Sequence, residues 1–148
     1  MIQAIFTSGS SVENFTYLRL SDIATIDLTV RPLISITSQQ SKKVLNFMPT
    51  TITTSTPNRY HKMNYFMNGE GTGALPLFGI IVLGDTDYPL GLYDVTIYKN
   101  TGNANLDPSG LTTVLYTGLL NLTSSVATTQ YTEYTTNDSD TESVYLTI

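Results

Sequence analysis

Pro89-Leu90-Gly91-Leu92-Tyr93-Asp94-Val95-Thr96-Ile97-Tyr98 is the stretch that decides the fold. Tyr93, Val95 and Ile97 alternate with Asp94, Thr96 and Tyr98, the two-residue period of a strand buried on one face and wetted on the other. Such a strand belongs in an antiparallel sheet with one solvated face. Two flanking blocks carry the same kind of signal, Tyr60-His61-Lys62-Met63-Asn64-Tyr65 before it and Leu115-Tyr116-Thr117-Gly118-Leu119-Leu120-Asn121-Leu122 after it.

Working outward, short apolar runs separated by turn residues fill most of the chain, and no helical period stands out. Ala24, Ile26, Leu28 and Val30 alternate with Ile23, Thr25, Asp27 and Thr29 until Arg31-Pro32, which predicts a strand ended by proline. Leu33 to Thr37 and Lys43 to Met48 predict a hairpin about Ser38-Gln39-Gln40-Ser41, and Thr50 to Thr54 predicts a further strand before the turn Ser55-Thr56-Pro57-Asn58. In the block from Arg59 to Met67, His61, Met63, Tyr65 and Met67 share one side, Tyr60, Lys62, Asn64 and Phe66 the other, and either could face inward. Leu77 to Leu83 is apolar on both faces, the pattern of a strand in the middle of a sandwich. The expected fold is therefore all-β: one domain over residues 1–148, an antiparallel two-sheet sandwich of jelly-roll or immunoglobulin-like type, with Ile81, Val95, Ile97 and Leu120 inside.

Two segments stand apart. The polar run from Lys99 to Leu111 is expected to project as a surface loop. From about Thr123 to Ser143, Val126 and Ala127 are the only aliphatic residues, which predicts a polar arm or long loop. Tyr131 and Tyr134 are its only large anchors and the candidate partner-binding residues. Val144 to Ile148 restores the alternation of a strand.

Composition narrows the function classes. The net charge is −5 and only seven residues are Lys or Arg, too few for the basic patch that nucleic acid requires. Cysteine is absent, which removes disulfides, thiolate metal sites and a cysteine nucleophile. The opening residues lack the basic start and apolar core of a secretory signal, and no apolar run reaches the ~18 residues of a membrane span. A soluble, cytosolically made chain is expected, in which the N-x-S/T triplets at Asn14, Asn121 and Asn137 are chance matches. Roughly one residue in six is Thr and charged residues are only 13%. β-propensity alone accounts for the Thr, while a charge-poor surface is also one that a partner can cover at low desolvation cost.

Catalytic chemistry is sparse. His61 is the sole histidine, and no nucleophile or orienting acid accompanies it in a motif. Asp85 with Asp87, and Asp138 with Asp140, have oxygen-rich spacing but lack the glycine and distal Glu of a calcium loop, and read as turn residues. Asn68-Gly69-Glu70-Gly71-Thr72-Gly73 lacks the ending of a phosphate loop. No enzyme activity, cofactor or metal is expected.

Arg59-Tyr60-His61-Lys62, Leu90 to Asn100, Tyr116-Thr117-Gly118-Leu119-Leu120, and the acidic run Asp138-Ser139-Asp140-Thr141-Glu142-Ser143 before a closing strand together resemble small virion structural proteins of tailed bacteriophages. The likeness covers about the last ninety residues. It implies a β-sandwich that decorates the capsid, or sits at the neck or tail, without catalytic residues. The expected partners are other virion proteins, either the major capsid protein or neighbouring copies. Homo-oligomers are compatible with this, and the expected location is the virion. A different class, a carbohydrate-binding tail module, would use exposed tyrosines such as Tyr60, Tyr98 or Tyr116 to stack on sugars. A small hydrolase on a β-sandwich is the third class, and lacks a discernible acid, base and nucleophile set.

Overall fold

Tyr93, Val95 and Ile97 are all buried, as their alternation demands, and the strand that carries them lies at the centre of a sheet. The computed structural model describes residues 1–6, 11–20, 27–54, 60–68, 74–124, 131–135 and 143–147. In these residues the strands are β1 (Ile2–Phe6), β2 (Ser11–Leu18), β3 (Leu33–Ser38), β4 (Val44–Phe47), β5 (Thr51–Thr54), β6 (His61–Asn68), β7 (Ile80–Val82), β8 (Gly91–Tyr98), β9 (Val114–Ser124), β10 (Tyr131–Thr135) and β11 (Ser143–Thr147). A 3-10 turn, Pro76–Phe78, precedes β7.

Two sheets pack face to face. The first runs β1-β9-β8-β3-β4, and the second runs β2-β6-β5 with β7 also pairing β6. Among the described strands of these two sheets, every pairing is antiparallel except β1 with β9 and β6 with β7. Matched to the immunoglobulin domain, β9-β8-β3-β4 is the G-F-C-C′ order and β2-β6-β5 is B-E-D. Of the two expected sandwich types, the strand order is the immunoglobulin-like one.

The core forms where the inner faces meet. His61, Met63, Tyr65 and Met67 are the buried side of β6, facing Ile34, Ile36, Val95, Ile97 and Leu120 of the other sheet. Phe47 of β4 and Tyr65 of β6 touch across the sandwich with ring centroids 5.6 Å apart and planes tilted by 58°, an arrangement that ring quadrupoles favour. Ile81 is fully buried too. On β9 both Leu115 and Leu120 point inward although they lie five residues apart. A bulge reconciles them: Ile97 pairs with Tyr116 but Tyr98 with Val114, leaving Leu115 as the extra residue.

The chain enters β8 through a tyrosine corner. Tyr93 lies near the start of the strand, is fully buried, and its hydroxyl donates to the Pro89 carbonyl at 2.5 Å, four residues upstream. Gly91, between them, has φ +130°, which a side chain would strain. The sequence Gly91-Leu92-Tyr93-Asp94-Val95 thus places the corner tyrosine two residues before Val95, where antibody domains carry the second cysteine.

Three expected elements differ. Asp27 to Val30 is a turn, not the end of a strand, because the Asp27 carboxylate accepts from the Thr29 amide at 2.8 Å and the Thr29 hydroxyl at 2.6 Å. This local pairing outcompetes a ladder; residues 23–26 lie outside the described residues. Leu77 to Leu83 is not a central strand. Pro76 opens the 3-10 turn, and Gly79 then takes φ +72° so close to the Thr50 backbone that a Cβ would lie 2.5 Å from its nitrogen. Only Ile80–Val82 remains extended, as a short strand parallel to β6 on the edge that β5 also occupies. Within 123–143, β9 continues to Ser124, and β10 pairs antiparallel with β11; residues 125–130 and 136–142 lie outside the described residues. The turn expected at 55–58 also lies outside them.

The loop after β8 is tied to the body. Asn100 is buried, donates to the Asn105 carbonyl at 3.0 Å and to the Met48 sulfur at 3.3 Å, and accepts from the Thr101 amide at 2.8 Å.

Two outcomes test this core. Ile97→Ala should lower stability by about 2–5 kcal/mol; an unchanged unfolding midpoint would remove Ile97 from the core. Burial, reinforced by the Asp85 carboxylate, pushes the Tyr93 phenol up from 10 to about 12. Between those values the folded chain keeps a proton that the unfolded chain releases, so stability is full below pH 10 and declines as pH rises toward 12. Denaturant midpoints measured along this limb should fall less steeply for Tyr93→Phe, which has no proton to lose.

Candidate functional site

The outer face of the β2-β6-β5 sheet breaks the usual rule that a strand's solvent side is its polar side. In β2 the alternation is inverted: Asn14 and Thr16 are buried, whereas Phe15 is 42% and Tyr17 60% exposed. The buried polar groups are satisfied. Asn14 pairs with the backbone of β1 as a strand would, its Oδ1 accepting from the Ile5 amide at 2.8 Å and its Nδ2 donating to the Ile5 carbonyl at 3.0 Å. The Thr16 hydroxyl shares a 3.0 Å hydrogen bond with the Tyr65 hydroxyl. With both amide atoms so engaged, Asn14 is a clamp between the sheets.

The register sets the exposed side chains in rows across the strands. Tyr17 pairs with Lys62 and Lys62 with Thr53; Phe15 pairs with Asn64 and Asn64 with Thr51; Glu13 pairs with Phe66 and Phe66 with Ile80. The Lys62 ammonium lies 4.0 Å from the Phe15 ring centroid and 5.9 Å from that of Tyr17, a cation held over aromatic faces. Asn64 occupies the centre. Its Nδ2 donates to the Glu13 carboxylate at 2.8 Å, and its Oδ1 accepts from the Thr51 amide at 3.0 Å and from the Thr51 hydroxyl. The neutral polar groups here are thus partnered within the face, which lowers the desolvation cost of covering them.

The residues singled out from sequence distribute elsewhere. Tyr131 and Tyr134 lie on β10, opposite Thr147 and Val144 of β11, in a two-stranded sheet separate from β2-β6-β5. Tyr60 precedes β6 in phase with Lys62 and is 51% exposed. Tyr98 is half-buried, and Tyr116 packs against the core beside Gly118, where an added Cβ would collide with its ring. Tyr116 is therefore not an open sugar platform. Asp85 accepts from the Tyr88 amide at 2.7 Å as a turn cap, and the Asp87 carbonyl accepts from the Ser41 hydroxyl. Asp138 and Asp140 lie outside the described residues. Among the described residues, no group of three or more His, Asp or Glu is placed to hold a metal ion.

His61 is buried between Leu18 of β2 and Thr54 of β5, and its Nδ1 has no hydrogen-bond partner among the described residues. Burial holds its pKa below the usual 6.5.

Sequence reasoning missed Phe15 and Tyr17. The period of two was visible in Glu13 to Leu18, but choosing which phase faces outward requires knowing that Ile5 and Tyr65 supply partners for Asn14 and Thr16. No family model, curated protein or solved structure matches the chain.

The His61 environment carries a pH signature. Below pH 6.5 the unfolded chain takes up a proton that the folded imidazole resists, so this contribution to stability is full above 6.5 and is lost as pH falls. Compared with the parent, His61→Gln should lose less stability between pH 7 and pH 5 in urea titrations. Equal losses would show that His61 is not held neutral by the fold.

Proposed function

We propose that this chain is a non-enzymatic structural protein of a tailed-phage virion, an immunoglobulin-like module that decorates the major capsid lattice. The observation that carries the reading is the outer face of the β2-β6-β5 sheet. Phe15 and Tyr17 are open on a sheet side that is ordinarily polar, and the polar groups among them are already paired within the face. Exposed aromatics rimmed by polar residues mark interaction surfaces. The virion assignment draws on the resemblance of the Tyr60, Leu90 and Tyr116 blocks to phage structural proteins, and a neck or tail position is its close alternative. No helix among the described residues is long and apolar enough to cross a membrane.

A second reading draws on Tyr17 and Tyr60, two exposed tyrosines. These could stack on sugar rings in a tail module. The Lys62 ammonium, 5.9 Å from the Tyr17 ring centroid, weighs against it, because the cation competes with a sugar for that ring face.

Mass spectrometry of purified particles should find the protein at a fixed copy number commensurate with the capsid lattice. Phe15→Ser with Tyr17→Ser should reduce its incorporation at least tenfold while leaving the thermal midpoint of the free protein nearly unchanged, since both side chains are exposed. Absence from intact particles would sink the virion reading. Undiminished incorporation of the double variant would move the contact to another surface, and specific retention on a glycan array would favour the tail module.

A further inference from the structure

We infer that the aromatic face of the β2-β6-β5 sheet pairs with the same face of a second copy of this chain, making a two-fold dimer. The inference names an occupant for the face on which the functional proposal rests, but self-association does not require a virion.

A two-fold interface must be self-complementary, each residue i meeting j while j meets i. This face contains one such pair of opposite charges. Glu13 sits in the row of Phe66 on β2, and Lys62 sits two rows away on β6, with Phe15 and Asn64 in the row between them. Consider a two-fold axis lying in the plane of the face and crossing the line from Glu13 to Lys62 at right angles at its midpoint. It sets each Glu13 against the Lys62 of the other copy, twice over. The same axis passes close to Phe15 and Asn64, so the exposed Phe15 rings meet near the centre, where interface anchors are strongest. Lys62 is prepared for this. Its ammonium is positioned over the Phe15 ring and near that of Tyr17, and offers three donors to an incoming carboxylate.

Size and charge set the strength. β2 spans eight residues, roughly 26 Å, and three strands span roughly 14 Å, so the two faces together cover roughly 730 Å², below the ~1,200 Å² of standard specific interfaces and in the range of weak, transient contacts. Each chain carries −5, so two copies repel at long range, but at physiological salt that repulsion is screened beyond about 8 Å. The pairing is accordingly a weak dimer that a lattice of fixed neighbours would reinforce.

The decisive experiment uses charge reversal on the purified full chain in sedimentation equilibrium. The parent should show a concentration-dependent monomer–dimer equilibrium. Glu13→Lys leaves two cations at the paired positions and Lys62→Glu leaves two anions, so each variant alone should dimerise at least tenfold more weakly. When the two variants are mixed in equal amounts, both contacts of a heterodimer set a lysine of the first variant against a glutamate of the second. A heterodimer at least as strong as the parent dimer should therefore appear. General damage to the fold would weaken the mixture as well, so recovery on mixing is specific to the proposed geometry. A parent that stays monomeric over the whole concentration range, or a mixture no tighter than its separate components, would overturn the dimer. If the dimer fails while the protein still incorporates into particles and needs Phe15 and Tyr17 to do so, the face is covered by a different virion protein and the functional proposal stands.

Discussion

The hydrogen bond from the Tyr93 hydroxyl to the Pro89 carbonyl fixes the place where the chain crosses from one sheet to the other. Everything after it depends on that crossing being made in one register. β8 is the strand that both β3 and β9 pair with, and β1 in turn hangs on β9. In antibody domains a disulfide and a tryptophan hold the same region, but this chain has neither Cys nor Trp. Here the corner tyrosine, Val95 and Ile97 occupy that region, packed in one cluster with Ile36, Phe47 and Leu120. Burial of this phenol, with the Asp85 carboxylate near it, raises its pKa.

How much of this could be read beforehand depended on where each residue's partners lay. β8, β3, β4 and β6 were legible because their apolar phases are strong and their turns carry turn residues. The tyrosine corner was also present in the letters, as a glycine two residues before a tyrosine at the head of an apolar phase. What could not be read were choices made by distant partners or by a single competing side chain. Leu28 and Val30 have the period of a strand, yet a two-residue reach from Asp27 bends them into a turn. Leu77 to Leu83 has the composition of a central strand, yet Pro76 and the tight approach of Gly79 to Thr50 shorten it to an edge piece.

The candidate site was the least legible part for the same reason. Tyr60, Lys62 and Asn64 could be grouped on one side of β6 from their spacing, but not assigned to the outside. On β2 the inversion hid the surface altogether, since Phe15 and Tyr17 have the composition of a core face. Only the hydrogen bonds of Asn14 and Thr16 make the polar phase the inner one, and they reach Ile5 and Tyr65. A strand whose aromatics are turned outward at the expense of buried amides and hydroxyls has given its surface priority over its core. That inversion supports the contact role proposed for this face.

The parallel pairing of β1 with β9 has a consequence for biogenesis. Ile2 leaves the ribosome long before its ladder partner, Leu120, has been added to the chain. Until β9 is synthesised, β1 has no neighbour in its sheet, and the Asn14 clamp from β2 grips a strand with nothing beyond it. Contacts of such long sequence separation form late, after the loop entropy between them has been overcome. A translation product interrupted before β9 therefore leaves the sandwich unzipped along β1, with an unpaired strand that quality-control proteases can engage. Closure of β1 onto β9 therefore completes the first sheet only after every described strand of the two sheets has been synthesised.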